Sequence, residues 1–201
     1  NTVSTNSPSG LLTGHSSGGW SSLWLQISHP DTFGGTWSTS PDPVDFRDFQ
    51  RVDLYAPGAN LFRDPAGGRR PLARQGTESI LWFDRFSRME DVIGRGGQLH
   101  SFEAVFSPLG PDGQPRPLWD RRTGAIDPEV ARAWEAYDIR LVLERHWPSL
   151  GPRLEGKIHV FTGDLDTFYL DGAVKLLKTT LAGLGSDAEI EVVPDKDHGN
   201  L

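Results

Sequence analysis

The sequence predicts an α/β fold, a mostly parallel sheet flanked by helices. Three observations carry that expectation. A Gly-x-Ser-x-Gly turn stands between a short apolar run and an amphipathic stretch, strands and helices alternate through the last third, and the loops after the last two strands hold acidic residues and a histidine. Alternation of strand and helix implies crossovers, and crossovers imply parallel pairing with helices laid on the sheet and both faces covered.

Taken in chain order, residues 1–10 (NTVSTNSPSG) are polar and turn-rich and read as a loop. Leu11-Leu12-Thr13 reads as the end of a buried strand. From Ser17 onward, Trp20, Leu23, Trp24 and Ile27 fall at i, i+3, i+4 and i+7, one face of a helix. His29-Pro30 ends that helix, because the residue before proline is pushed out of helical geometry. A strand over Gly35–Thr39 and a Ser40-Pro41-Asp42-Pro43 turn follow.

Residues 44–126 are the least regular, an insertion of the kind that covers a site. A helix is expected over Glu78–Val92 with Thr77 as cap, and Phe102, Ala104 and Phe106 alternate like a strand. The Gly/Pro-rich pieces at 64–71 and 107–117 read as loops. Asp127-Pro128 is a cap with proline in the first helical turn, and Val130, Trp134, Tyr137 and Leu141 mark a helix closed by Pro148. Residues 157–162 (KIHVFT) read as a strand, Asp171–Leu184 as a helix with Val174, Leu177 and Leu181 inward, and Ala188–Val193 as a last strand.

Composition bounds the function. The 201 residues suit one domain, and 36% apolar with 23% charged residues fits a globular chain. No apolar run approaches the ~20 residues of a membrane-spanning helix. A net charge of −7 argues against a nucleic-acid partner, which requires clustered Lys and Arg. The doublets Arg69-Arg70 and Arg121-Arg122 read as solvated loop charges. Without cysteine there is neither a thiolate metal site nor a Cys nucleophile, and the compartment stays open. No ligand spacing suggests a metal, and no cofactor is called for. The run Asp164, Asp166, Asp171 lacks the glycine and the ligand spacing of a calcium loop.

Gly14-His15-Ser16-Ser17-Gly18 sits where such a motif must sit to carry chemistry, at a strand-to-helix turn. A serine there holds strained backbone angles, and the flanking glycines leave room where a Cβ would collide. The helix N-terminus points unpaired N–H groups at developing negative charge, so the Ser17 N–H is a candidate oxyanion donor. Serine needs an imidazole base, itself oriented by a carboxylate. In a fold with this turn the order along the chain is Ser, acid, His, with the last two in loops after later strands.

Gly163-Asp164-Leu165-Asp166 and Asp195-Lys196-Asp197-His198 are those loops. Of six histidines, His198 alone follows a final strand in a polar loop. His15 lies inside the turn, His29 ends a helix, His146 falls in a helix's last turn and His159 lies within a strand, which leaves His100 as the rival. Asp166, three residues past Gly163, is favoured as the acid over Asp164, which could be a turn or capping residue.

The stretches LLTGHSSGGWSSLWLQISHPDTFGGTWSTSPD, FTGDLDTFYLDG and DKDHGNL resemble the Putative esterase family of α/β hydrolases, which includes esterase D, enterochelin esterases and feruloyl esterases. The resemblance covers the first and last thirds; residues 44–126 are not diagnostic. It implies an α/β-hydrolase fold and an acyl-enzyme route for hydrolysis of a small-molecule carboxylic ester. Ser16 would be the nucleophile, His198 the base and then the acid, and Asp166 the orienter. It also implies a second oxyanion donor in a loop before the nucleophile strand. Since 15 residues precede Ser16, the expectation is a chain holding the C-terminal half of such a domain, its second donor upstream and the isolated chain marginally stable. Trp37, Trp82 and Trp119 are expected either to pack in the core or to line the substrate pocket. An acyltransferase using the same residues, and a noncatalytic binding domain of the same fold, are the alternatives. Oligomeric state is not legible.

Overall fold

In the computed structural model, residues 10–94 and 96–201 are described; the expected N-terminal loop lies outside them except for Gly10. The element order is β1 (Gly10–His15), α1 (Ser17–Ser28), β2 (Phe33–Thr39), β3 (Pro71–Gln75), β4 (Glu78–Trp82), α2 (Phe83–Ile93), α3 (Gln98–Phe106), α4 (Pro128–Trp134), α5 (Ile139–Leu154), β5 (Ile158–Gly163), α6 (Asp171–Gly183) and β6 (Glu189–Val193). Four strands form a parallel sheet in the order β1-β2-β5-β6, and β3 and β4 form a separate antiparallel hairpin. Register along the parallel sheet runs Thr13↔Trp37, Trp37↔His159 and His159↔Glu189. The strand ends after His15, Thr39, Gly163 and Val193 therefore open on one edge of the sheet, and the loops that carry the chemistry meet there.

Side chains alternate across a strand. Thr36, Ser38, Ile158, Val160, Thr162 and Ile190 face one side and are buried, under α1 on β1–β2 and α6 on β5–β6, with α5 between those helices. Burial of Leu23, Ile27, Val174, Leu177 and Leu181 locks these helices on, the apolar stripes read from the sequence. On the opposite face Leu11 and Trp37 are exposed, and Trp37 stacks on His159 with ring centroids 4.4 Å apart. Among the described residues, that face carries no helix.

Segment 44–126 joins the same core. Phe46, Phe49 and Phe106 pack edge-to-face around Trp134 with centroids 5.1–5.9 Å apart, Phe102 meets Phe49 edge-to-face and stacks on Phe106 at 6.1 Å, and Trp20 of α1 touches Phe106. Such aromatic pairing adds ~0.5–1.5 kcal/mol per pair beyond the burial of area.

Several expectations are corrected. Residues 78–82 are a strand, not the start of a helix; Gly76 at φ 57° turns the chain so that Gln75 faces Glu78, and α2 begins only at Phe83. Residues 98–106 are a helix, because Leu99, Phe102, Glu103 and Phe106 share one buried face at i, i+3, i+4 and i+7. The helix expected from Pro128 to Pro148 is two helices. Asp127 caps the first, and Asp138 accepts from the Leu141 N–H to cap the second. Pro148 and Pro152 lie inside α5; Pro148 is on its exposed side, where water can meet the carbonyl it leaves without a donor. The arginine doublets are not simply solvated. Arg69 pairs with Asp84 at 2.6 Å and Arg121 with Glu103 at 2.5 Å, and Arg70 donates to the Asn60 and Arg63 carbonyls. Among the described residues no helix is long and apolar enough to cross a membrane.

Candidate active site

Ser16 occupies the single-residue corner between β1 and α1, at φ 57° and ψ −125°, a left-handed φ that non-glycine residues avoid. The surroundings hold it there. Its N–H donates to the Thr39 carbonyl at 3.0 Å, and its own carbonyl accepts from Trp20 and from Asp42 at 3.0 and 3.2 Å. A Cβ on Gly14 would collide with the Gly18 carbonyl, and one on Gly19 would press on the Thr39 carbonyl. Gly18 itself has open space around the Cβ position. The close approach thus depends on Gly14 and Gly19, and the last glycine of the motif is not the one sterics demand.

Ser16 makes no side-chain cap on α1. The Ser17 N–H has no backbone acceptor among the described residues, as expected for the first turn of a helix. That donor, and the positive end of the helix, remain directed toward whatever lies above Ser16.

Asp166 and His198 come from the ends of β5 and β6. His198 Nδ1 lies 2.8 Å from Asp166 Oδ2. The carboxylate is fully buried, and its Oδ1 accepts from the Phe168 and Leu170 N–H groups at 2.9 and 3.2 Å, fixing its orientation. The two loops are interlocked: a Cβ on Gly163 would collide with the Lys196 carbonyl, and the Leu165 N–H donates to that same carbonyl at 3.0 Å. Asp164 instead accepts from the Asp195 N–H at 2.8 Å, a turn contact. The His198 ring sits between Phe168 and His15, with centroid distances of 4.9 and 4.6 Å, which brings it beside the Ser16 corner; among the described residues it makes no hydrogen bond to Ser16. His100 lies on α3, 3.4 Å from Asp91, away from this group.

A pocket of about 290 Å³ opens at Ser16 and is walled by Leu72, Leu81, Phe86, Phe102 and Phe168, with Asp42, Gln50 and Gln98 as its other polar members. None of the three tryptophans expected as possible lining residues contributes. Trp37 stacks on the open sheet face, Trp82 lies under Arg69 and Arg85, and Trp119 is buried beneath Arg121.

Two residues at the site escape the sequence reading. Asp42, in the turn after β2, accepts the Ser17 hydroxyl at 2.5 Å and is buried. Burial pushes its carboxyl above the usual carboxylate range; the Ser17 hydrogen bond and His198 oppose the shift and the Asp166 charge adds to it. Its position in a loop after a parallel strand is the signal that could have found it. Arg74 of β3 donates from Nε to the Asp166 carbonyl and from Nη2 to the Asp164 carbonyl, each at 2.9 Å, and pairs with Asp171 at 3.0 Å. No such long-range contact is readable from spacing. Among the described residues no group of three or more His, Asp or Glu could hold a metal ion.

No curated protein matches the chain. One similar solved structure is that of Porphyromonas gingivalis dipeptidyl peptidase 4, 14% identical with a TM-score of 0.45, the match covering 96% of this chain and 17% of that one. A family model described as Putative esterase matches residues 1–182. The match takes in the serine corner, the acid loop and most of α6, on a parallel sheet flanked by helices on one face among the described residues. The chain belongs to the Putative esterase family and has the α/β-hydrolase fold.

Proposed function

We propose that the chain is a serine hydrolase that cleaves a small carboxylic ester through an acyl-enzyme, acting as one domain in which segment 44–126 walls the acyl pocket. The observation that carries this reading is the Asp166–His198 pair at 2.8 Å beside a serine held at positive φ on a helix N-terminus. His198 takes the Ser16 hydroxyl proton as Oγ attacks the ester carbonyl. The tetrahedral oxyanion meets the Ser17 N–H and the positive end of α1. Collapse breaks the bond to the alcohol, which leaves with the proton from His198. Water then repeats the sequence on the acyl-enzyme, releasing the acid and free Ser16. Asp166 keeps Nδ1 protonated, so that Nε2 is the basic nitrogen, and stabilises the imidazolium.

The test is turnover of a short-chain ester by the intact protein and by Ser16→Ala, His198→Ala and the double variant. Groups that act as one unit give losses that do not multiply. Each single variant and the double are therefore expected to fall to a similar residual rate, several orders of magnitude below the parent. Multiplying losses, or undiminished turnover in Ser16→Ala, would contradict the assignment.

A further inference from the structure

The buried carboxylates of this chain almost all carry a partner that answers their charge. Asp45 faces Arg47 and Arg140 at 2.6 and 3.3 Å, Glu103 faces Arg121 at 2.5 Å, Asp138 faces Arg140 at 3.5 Å, and Asp171 faces Arg74 and Lys175 at 3.0 and 2.6 Å. Asp166 has His198, and Glu90 accepts two N–H groups at the start of α3. Among the described residues Asp42, like Glu90, has no Arg or Lys partner, and it has the fewest donors of the set. It is 7% exposed, its Oδ2 accepts a neutral hydroxyl, and among the described residues Oδ1 accepts nothing and no Arg or Lys lies within ion-pair distance. A buried charge left without a counter-ion is costly, and such groups are paired in folded proteins.

What Asp42 faces is the pocket at Ser16. Among the described residues Asp42 is its one charged lining residue, and besides Ser16 the rest of the wall is apolar or carboxamide. Gln50, also buried, adds a carboxamide oxygen that has no donor among the described residues. The Asp42 N–H donates to the Ser16 carbonyl, its carboxylate holds the Ser17 hydroxyl, and Asp42 and Ser16 line the same pocket, next to where the acyl group would be carried. At about 290 Å³ the pocket lies at the small end for ligand sites and suits a short chain.

We propose that Asp42 is a specificity residue, and that the pocket takes the short acyl chain of an ester bearing a protonated amine a few bonds from its scissile carbonyl. The ammonium supplies the counter-ion that Asp42 lacks, while the apolar wall takes the carbon chain. The inference rests on Ser16 as nucleophile. A charged pair formed out of water is a strong discriminator, because the neutral analogue leaves the carboxylate unpaired.

The test compares ethyl 2-aminobutyrate with ethyl butyrate, in the intact protein and in Asp42→Asn, at a pH where the amine is protonated. The ratio of kcat/KM for the two esters is measured in each protein. Intrinsic reactivity differences between the esters, and any loss of bracing at Ser17, cancel in the comparison of ratios. The expected result is a preference for the amino ester that falls about tenfold or more in Asp42→Asn. Ratios equal within threefold, or a parent that cleaves only ethyl butyrate, overturn the inference and leave the esterase reading standing; a parent that cleaves neither ester contradicts both. A measurement on the unmutated protein covers a variant that does not fold. Propylammonium is expected to compete with ethyl butyrate at a concentration at least about tenfold lower than 1-propanol, and equal competition overturns the inference.

Discussion

Arg74 gives the sharpest handle on how the hairpin supports the acid loop. Its guanidinium donates to the Asp166 and Asp164 carbonyls, pairs with Asp171, and lies 4.7 Å from the Tyr169 ring centroid. The Arg74 N–H also donates to the Thr167 carbonyl at 2.8 Å, a contact that any residue but proline keeps. Arg74→Ala removes two hydrogen bonds from a charged donor, worth ~1.5–3 kcal/mol each in comparable settings. The guanidinium borders an open cleft shared with Asp48 and Tyr169, so water can meet part of the freed carbonyls. A net loss of about 2–4 kcal/mol follows, or ~4–15 °C in Tm for a chain of this length. Because the acid loop carries Asp166, kcat is expected to fall by about 10–100-fold, the scale on which small displacements of catalytic groups act. Arg74→Lys is expected to recover only part of the loss, since one ammonium cannot reproduce the planar fork. The assay is a thermal melt together with kcat and KM measured well below the melting temperature. A merely structural role would lower Tm and leave kcat well below the melt in place, whereas a positioning role lowers kcat there with KM little changed. Arg74→Ala with unchanged Tm and kcat within twofold of the parent would refute the reasoning.

Two further outcomes separate neighbouring carboxylates. Asp166→Asn is expected to keep the fold and to lower turnover by about 10³–10⁴-fold, because the amide permits the wrong imidazole tautomer, while Asp164→Asn costs a turn contact of roughly 1 kcal/mol; comparing the two kcat values decides between them. Asp42 has a folded-state pKa raised by burial, so its contribution to stability is fully present below its unfolded value and lost as pH rises through the folded value. Asp42→Asn should therefore melt higher than the parent at neutral pH, with the gain vanishing in melts taken below pH ~4; a gain that grows on acidification would contradict this.

The parts of the molecule legible in the sequence are those whose side-chain period and punctuation agree. The α1 stripe from Trp20 to Ile27, the α6 stripe from Val174 to Leu181 and the loops after Gly163 and Val193 all stand where the spacing predicts. Segment 98–106 reads as a strand in sequence because Phe102 and Phe106 fit both periods, and burial of Leu99 and Glu103 on the same face makes it a helix. Glu78–Trp82 carries a helix-like pattern that pairing with β3 overrides. Asp42 looked like one more turn residue between two prolines, since burial of a carboxylate depends on what the rest of the chain lays over it. Apart from Phe168, the apolar wall of the pocket likewise comes from residues 72–102, whose packing against the Ser16 corner has no local signature.

The central claim is that Ser16 is a nucleophile made reactive by His198, and covalent capture tests it most directly. The intact protein is treated with a fluorophosphonate, digested, and the modified residue located by mass spectrometry. The account predicts one stoichiometric adduct on Ser16, absent in Ser16→Ala and formed at least a hundredfold more slowly in His198→Ala. An adduct on another residue, or labelling of Ser16 at an undiminished rate without His198, would contradict it.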